Sequence, residues 1–269
     1  MKLSVLISVY HAEKAEFFKR ALESIWDEQT LKPDEIVLVE DGSLTPELYA
    51  EIESAKSRMP ITSVQLKTNV GLGDALREGI KFCKGEFIAR MDTDDISRPN
   101  RFKTQMDFLT NNPEFDIVGS WIGEFESDEN IIVSHRKTPQ KHDDILKFAK
   151  KRNPMNHVTV IFRASAVIKA GSYVKSLGFE DYDLWVRMLQ QGSLFANIEQ
   201  DLVAVRIGNG LIGRRRGLFY AANELKFQNQ LRKYGFISVT NYLMNVAVRL
   251  SSRMMPPYVL RFVYKIIRS

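Results

Sequence analysis

The chain is predicted to be an α/β protein with a mostly parallel sheet flanked by helices, and three observations predict it. Short β-rich runs alternate with amphipathic helical stretches at strand–helix–strand spacing through residue 111. The runs are almost continuously apolar, as in Leu3 to Val9, which is the pattern of strands covered on both faces. Each run ends in a polar or glycine-bearing turn that leads into the next helix.

In order, residues 3–9 form the first strand, and residues 15–28 a helix with Phe18, Leu22, Ile25 and Trp26 on one face. After Pro33 the second strand covers 35–39 and closes in Glu40-Asp41-Gly42-Ser43, with a helix over 46–57. Residues 61–67 are the third strand, Asn69-Val70-Gly71-Leu72-Gly73 turns into a helix over 74–83, and 86–91 is the fourth strand. A helix over 99–111 follows, with Asp95 or Ser97 as its candidate cap and Pro99 in its first turn. Such connections are right-handed, so successive strands lie parallel. Beyond residue 111 the pattern loosens into strands at 116–121, 130–135 and 155–163, a helix over 141–150, a helix over 179–191 broken at Gly192, and a last strand at 203–207. Helices over about 216–234, 237–253 and, after Pro256-Pro257, 258–268 end the chain.

A length of 269 residues, 44% hydrophobic and 26% charged, suits one large domain or a domain with an appendage. The single Cys83 excludes an intrachain disulfide, no Cys/His cluster suggests zinc, and a buried inert thiol in a helix is expected. The stretch from Met1 to Tyr10 has the outline of a secretory signal. Its apolar run is short, carries Ser4 and Ser8 and lacks a small-residue cleavage site, so it reads as a strand and the protein as cytosolic. No run reaches the roughly 18 apolar residues that span a bilayer.

Three acids, Asp92, Asp94 and Asp95, fall within four residues at the end of the fourth strand. Like charges repel, and folding alone gives no reason to gather them. A Mg²⁺ or Mn²⁺ ion does, because it binds through one or two carboxylates and completes its shell with water and phosphate oxygens. In open α/β sheets ligands lie outside the carboxyl ends of the strands, where these acids and Asp41 sit. A metal–diphosphate site is therefore expected at Asp92 and Asp94. Asp41 faces the same crevice and can accept from a base or a ribose, although Asp-Gly-Ser is also an ordinary strand-to-helix turn. Glu180 and Asp181 open a helix whose Leu184, Met188 and Trp185 face the core. Acids there suit the helix dipole, or one of them is a general base aimed at an acceptor hydroxyl. His157 is a lone histidine, either a ligand contact or a satisfied structural residue.

Five blocks, in order, carry a resemblance: Leu6-Ile7-Ser8-Val9-Tyr10, Val39-Glu40-Asp41-Gly42-Ser43, Asn69-Val70-Gly71-Leu72, Gly85 through Arg101, and Glu180-Asp181-Tyr182-Asp183-Leu184-Trp185. Together they resemble the family 2 glycosyltransferases, the inverting nucleotide-sugar enzymes of the GT-A fold, over about residues 3–206. The form Ala-Arg-Met-Asp-x-Asp-Asp-Ile-Ser-x-Pro-x-Arg is similar to the bacterial subset that builds O-antigen, capsule and exopolysaccharide repeat units. The resemblance implies a GT-A catalytic domain over 1–210, with a nucleotide-sugar half at 1–111 and an acceptor half at 112–210, and a basic amphipathic helical region at 211–269. It implies that Asp41 contacts the uracil or ribose of a UDP-sugar, with Ser8, Tyr10, Asn69, Gly71 and Arg77 completing the donor site. Asp92 would sit by the ribose and share with Asp94 a Mn²⁺ or Mg²⁺ ion. Asp181 would deprotonate the acceptor, and His157, Glu180 and Trp185 would line the acceptor side. A UDP-hexose, glucose or galactose, and a GlcNAc- or GalNAc-diphosphopolyprenol are the implied substrates. Two positions depart from the pattern: Glu40 stands where a first Asp is usual, and Arg77 where an Asn commonly faces the nucleotide.

From Arg206 onward twelve basic residues meet Glu224 alone, so a mildly acidic body carries a strongly basic end. Its apolar runs are too short to span but suit helices lying in a membrane interface, where each cation near anionic lipid is worth about 1 kcal/mol. The same helices packed on the body with solvated cations are the other reading. A peripheral position on the inner face of the plasma membrane is expected, with Arg214-Arg215-Arg216 meeting a lipid diphosphate. Rival functions fit less well. Gly71-Leu72-Gly73 is a partial dinucleotide fingerprint, but Leu76 holds its third glycine position and it follows the third strand. A sugar nucleotidyltransferase lacks its Gly-rich phosphate loop after Val9. A nucleic-acid binder leaves Asp92, Asp94 and Asp181 without a purpose, so no nucleic acid is expected as partner.

Overall fold

The computed structural model describes residues 1–176, 178–207 and 218–254. Strands β1 (Leu3–Val9), β2 (Glu35–Glu40), β3 (Ile61–Gln65) and β4 (Phe87–Met91) pair in parallel in the order β3-β2-β1-β4. Helices α1 (Ala15–Ile25), α2 (Pro46–Lys56) and α3 (Leu72–Ile80) carry the chain between them. Their near-continuous apolar runs follow from burial on both faces. Leu6, Val37, Val39 and Ile88 join one core with α3, and Val5, Ile7, Ile36 and Leu38 join the other with α1 and α2. Because β2 and β3 lie to one side of β1 and β4 to the other, the connections diverge between β1 and β4. That switch opens a crevice over their carboxyl ends.

The second half extends the same sheet. After β5 (Ile96–Ser97) and α4 (Arg101–Asn111) come β6 (Phe115–Phe125), β7 (Ser134–Arg136), α5 (His142–Ala149), a 3₁₀ turn (His157–Thr159), β8 (Ile161–Arg163), α6 (Ala164–Lys169), α7 (Glu180–Gln190) and β9 (Leu194–Arg206). The order runs on as β4-β8-β6-β9-β5, with β7 on β6. Here the pairing is mixed: β8 is antiparallel to both neighbours, while β6 and β9 run parallel.

Several expected boundaries move, each for a physical reason. β9 starts at Leu194 instead of 203, because register shifts around Trp121 absorb the polar residues that hide its β pattern. The expected strand at 130–135 shrinks to Ser134–Arg136; the Val133 N–H still bonds the Glu124 carbonyl of β6 at 2.8 Å, while the side chains of Ile131 and Val133 stay exposed. In 155–163 the Thr159 hydroxyl bonds the Asn156 carbonyl at 2.8 Å and accepts from the Ser120 N–H at 2.9 Å, which converts half of an expected strand into a 3₁₀ turn. Neither Asp95 nor Ser97 caps α4. Asn100 occupies that position, Ser97 lies in β5, and Asp95 accepts the Arg206 N–H at 2.9 Å. Cys83 falls just past α3, half-buried, and burial followed by the charge of Glu35 pushes its thiol up to about 12. An inert thiol fits.

Helices α8 (Leu218–Lys233) and α9 (Val239–Met254) pack on the body. Phe227 stacks on Phe179 at 4.6 Å, Asn245 Nδ2 donates to the Lys150 carbonyl at 2.9 Å, and Arg249 pairs with buried Glu224 at 2.7 Å. The packed reading thus holds for their inner faces, with Arg249 paired instead of solvated. On the outer side Val239, Leu243, Met244 and Val248 remain more than half exposed. Arg214-Arg215-Arg216 and the helix expected at 258–268 lie outside the described residues. Among the described residues no helix is long and apolar enough to cross a membrane.

Candidate active site

The carboxyl ends of β1, β2 and β4 carry Tyr10, Asp41 and Asp92. Register brings them to one edge, with Ile7 opposite Met91 and Val9 opposite Glu40. Arg90, only 1% exposed, is the next-to-last residue of β4 and forms an ion pair with Asp92. The backbone there is braced by fully buried Arg101, whose Nη2 donates to the Arg90 carbonyl at 2.7 Å and whose Nε donates to Gln105 Oε1 at 3.1 Å. Burial, then the neighbouring Arg90 charge, pulls Arg101 down to about 9.

The following loop is clamped from two sides. Thr93 Oγ1 donates to Glu13 Oε2 at 2.5 Å, just ahead of α1. Arg206, its guanidinium 4.0 Å from the Phe17 ring and 4.5 Å from the Phe125 ring, donates from Nε to the Asp94 carbonyl at 3.3 Å. Burial, then the charges of Asp92 and Glu13, push the Asp94 carboxyl up to about 6. Burial and the same acidic neighbourhood raise Asp95 well above the carboxylate range. Acids held together under this strain are a poor end state for a carboxylate cluster and a good starting state for a cation site.

On the donor side Asp41 is buried, and its two carboxylate oxygens accept the N–H groups of Val70 at 2.7 Å and Gly71 at 3.1 Å. Asn69 Nδ2 donates back to the Asp41 carbonyl at 3.3 Å. The turn reading is therefore realised: Asp41 moors the loop into α3, and each of its oxygens keeps a lone pair for another donor. Gly71 caps α3 at φ +90°, a conformation that disfavours any side chain there. Ser8 is half-buried within β1, and Tyr10 is exposed with its ring edge-on to His11. Arg77 pairs with Asp74 at 2.8 Å along its own helix.

On the opposite side the first turn of α7 meets the first turn of α3 at Gly73, where a Cβ would lie 2.5 Å from Glu180 Cγ. Of the three acids in that turn, Asp183 is fully buried and tied to Arg187 at 2.7 Å, so it serves the fold. Asp181 is half-buried and accepts a hydrogen bond from Asn153 Nδ2 at 2.6 Å. His157 Nε2 lies 2.8 Å from the Tyr173 hydroxyl; burial, then the Arg90 charge, hold its pKa well below the usual range, so the ring is neutral at pH 7. Trp185 is fully buried and backs His157 edge-on at 6.0 Å, so it reaches the crevice only through that ring. The Tyr173 hydroxyl, raised chiefly by burial, feels the charges of Arg90, Asp181 and Asp92 together. The charges of two acids 89 positions apart in the chain thus reach one buried phenol.

Arg90, Arg101, Arg206, Asn153, Tyr173 and Glu13 carry this geometry without having been assigned a role from the sequence. A signal existed for the first: an arginine inside an otherwise apolar strand must be buried, and a buried guanidinium needs a carboxylate. The others are long-range partners with no local pattern.

The donor set suits a hard dication. Asp92 and Asp94 offer carboxylate oxygens; the Asp94 pKa is raised first by burial and then by the charges of Asp92 and Glu13, and a cation would relieve that repulsion. Among the described residues no cluster of three or more His, Cys, Asp or Glu side chains could hold an ion unaided. A dication held by Asp92 and Asp94 would complete its shell with water and substrate phosphate, as Mg²⁺ and Mn²⁺ do.

Comparison with known proteins gives the following. The family model described as Glycosyl transferase family 2 matches residues 4–173. Amylovoran biosynthesis glycosyltransferase AmsE of Erwinia amylovora is 40% identical over 265 residues, covering 97% of each chain. The UDP-Gal:alpha-D-GlcNAc-diphosphoundecaprenol beta-1,3-galactosyltransferase of Escherichia coli is 36% identical over 267 residues, covering 98% of this chain and 95% of that one. Among solved structures, S. aureus TarS residues 1–349 in complex with UDP-GlcNAc superposes with a TM-score of 0.67 at 17% identity, over 86% of this chain and 66% of that one.

Proposed function

The chain belongs to glycosyl transferase family 2, and from that premise we propose that it is an inverting, metal-dependent hexosyltransferase acting in bacterial surface polysaccharide synthesis. The donor is a UDP-hexose, with galactose favoured over glucose by the 36%-identical relative, and the acceptor is GlcNAc or GalNAc on a polyprenyl diphosphate. One observation carries the reading: the charges of Asp181 and of Asp92, the latter just past β4 beside the switch point of the sheet, both reach the buried Tyr173 hydroxyl.

Asp181 takes the proton of the acceptor hydroxyl as its oxygen attacks the anomeric carbon from the face opposite the diphosphate. The new C–O bond forms, the anomeric bond to phosphate breaks, and a β-linked product leaves an α-linked donor with UDP released. Asp92 and Asp94 would hold a Mn²⁺ or Mg²⁺ ion, which would supply Lewis-acid neutralisation of the departing diphosphate. Asp41 with the 69–71 loop, Ser8 and Tyr10 hold the nucleoside, while neutral His157 and the Glu180 turn line the acceptor side. Arg77 sits on the helix that borders the donor.

The protein works at the inner face of the plasma membrane, with the outer side of α9 in the interface. Val239, Leu243, Met244 and Val248 support this, as does the basic end of the chain. Flotation with anionic vesicles tests it: deletion of residues 237–269 should abolish partition, and unchanged partition rejects the membrane role.

The donor assignment is tested by thermal shift with UDP, GDP, dTDP, CDP and NAD, each with Mn²⁺ or EDTA. Ligand at about a hundred times its dissociation constant adds roughly 2.7 kcal/mol. A Mn²⁺-dependent shift with UDP alone is expected; a shift with NAD in EDTA overturns the reading.

A further inference from the structure

Asp181 sits in the second position of α7, where the helix fixes its backbone but leaves its carboxylate two side-chain torsions to choose from. Asn153 Nδ2 meets Asp181 Oδ2 at 2.6 Å across 28 residues of sequence. The amide orientation is set by its other end, where Asn153 Oδ1 accepts the Met155 N–H at 3.2 Å. Only the carbonyl oxygen accepts from an N–H, so the NH₂ group must face the carboxylate, which is itself an acceptor.

The loop that bears Asn153 is anchored well beyond this contact. Arg136 on β7 donates from Nη2 to the Asn153 carbonyl at 3.3 Å. Asn156, buried, donates to the Ser120 carbonyl of β6 at 2.8 Å, and Asn197 of β9 donates to the Pro154 carbonyl at 3.3 Å. Pro154 also biases Asn153 toward extended backbone. Three strands therefore fix an amide whose free end addresses one carboxylate. We infer that Asn153 is the positioning residue for Asp181, choosing the rotamer in which that carboxylate meets the acceptor hydroxyl. The inference rests on Asp181 being the base.

Asn153→Ala and the isosteric Asn153→Asp test it, with Asn153→Asp serving where the smaller residue disturbs the loop. Each should lower kcat by about ten- to a hundredfold, the value of one hydrogen bond to a charged group, with the KM for UDP-sugar unchanged. A hydrogen bond to a carboxylate favours its charged form, so losing it should move the acid limb of the kcat profile to higher pH. In the Asp181→Asn background the second substitution should cost nothing further. Wild-type kcat and pH limb in both Asn153 variants, or an equal further loss in the Asp181→Asn background, overturns the inference while Asp181 stands. Wild-type turnover in Asp181→Asn alone shows instead that the base assignment has failed.

Discussion

Gly73→Ala tests whether the docking of α7 on α3 places the Asp181 turn. The added Cβ would lie 2.5 Å from Glu180 Cγ and 3.2 Å from both Glu180 Cβ and the Val174 carbonyl. Ordinary contact starts near 3.4 Å, so Glu180 Cγ must give by about 0.9 Å. Swinging it away sacrifices the hydrogen bond from the Gly178 N–H to Glu180 Oε1, 3.1 Å long. That bond contributes about 1 kcal/mol, and alanine's helix propensity returns about 1 kcal/mol, so the melting temperature should stay within about 3 °C. Position does not cancel in the same way. Glu180 Cβ and the Val174 carbonyl cannot rotate aside, so the first turn of α7 moves by a few tenths of an ångström or more. Misplacement near 1 Å costs about a hundredfold, so a shift of a few tenths should lower kcat by about two- to fivefold. Gly79→Ala is the contrast, since its Cβ would meet buried Leu6 at 2.5 Å and Val39 at 2.6 Å, far from the α7 turn. It should cost about 1–3 kcal/mol of stability and spare kcat. Steady-state kinetics beside thermal unfolding separates the two. Wild-type kcat in Gly73→Ala at unchanged melting temperature refutes the reasoning.

Two further outcomes follow from the charges. Asp94, raised to about 6, must be ionised to hold a cation, so Mn²⁺ affinity measured by calorimetry with UDP present should be constant above that pH and weaken about tenfold per unit below it. Affinity flat from pH 5 to 8 removes Asp94 from the ligand set. Arg101→Leu leaves the Arg90 carbonyl and Gln105 Oε1 without their donor, so denaturant unfolding should report a loss of about 1–3 kcal/mol. Unchanged stability would mean that relief of the buried charge outweighs both bonds.

How much was legible in the sequence divides at residue 111. The parallel half was readable because its strands are buried on both faces and its helices are amphipathic, so hydrophobic period alone separates them. The acids at 92, 94 and 181 stand out in the sequence because like charges at element ends have few structural uses, and they lie just past β4 and in the first turn of α7. The second half resisted where side chains bond to backbone: Thr159 breaks a strand, and polar residues from Asn197 to Asp201 conceal one. Asp41 shows a subtler limit. Its turn chemistry and its place in the crevice are both real, and only the N–H groups of Val70 and Gly71 reveal that it does the first. Asp95 and Ser97 read as caps because local rules see four residues ahead, whereas Arg206 lies 111 residues from Asp95. The apolar face of α9 was legible as apolar, but its partition into a packed and an exposed side required the partners Lys150, Gln228 and Glu224 that Asn245 and Arg249 meet on the body.

We propose inversion at an anomeric carbon, with Asp181 as the base and the diphosphate on a dication that Asp92 and Asp94 would hold. Its most direct test is transfer from UDP-galactose to GlcNAc-α-diphospholipid, with product configuration read by NMR, in Mn²⁺ and in EDTA, for wild type and Asp181→Asn. The account predicts a β-linked disaccharide that forms only with Mn²⁺ and is lost in the variant. An α-linked product, or equal transfer in Asp181→Asn, would contradict it.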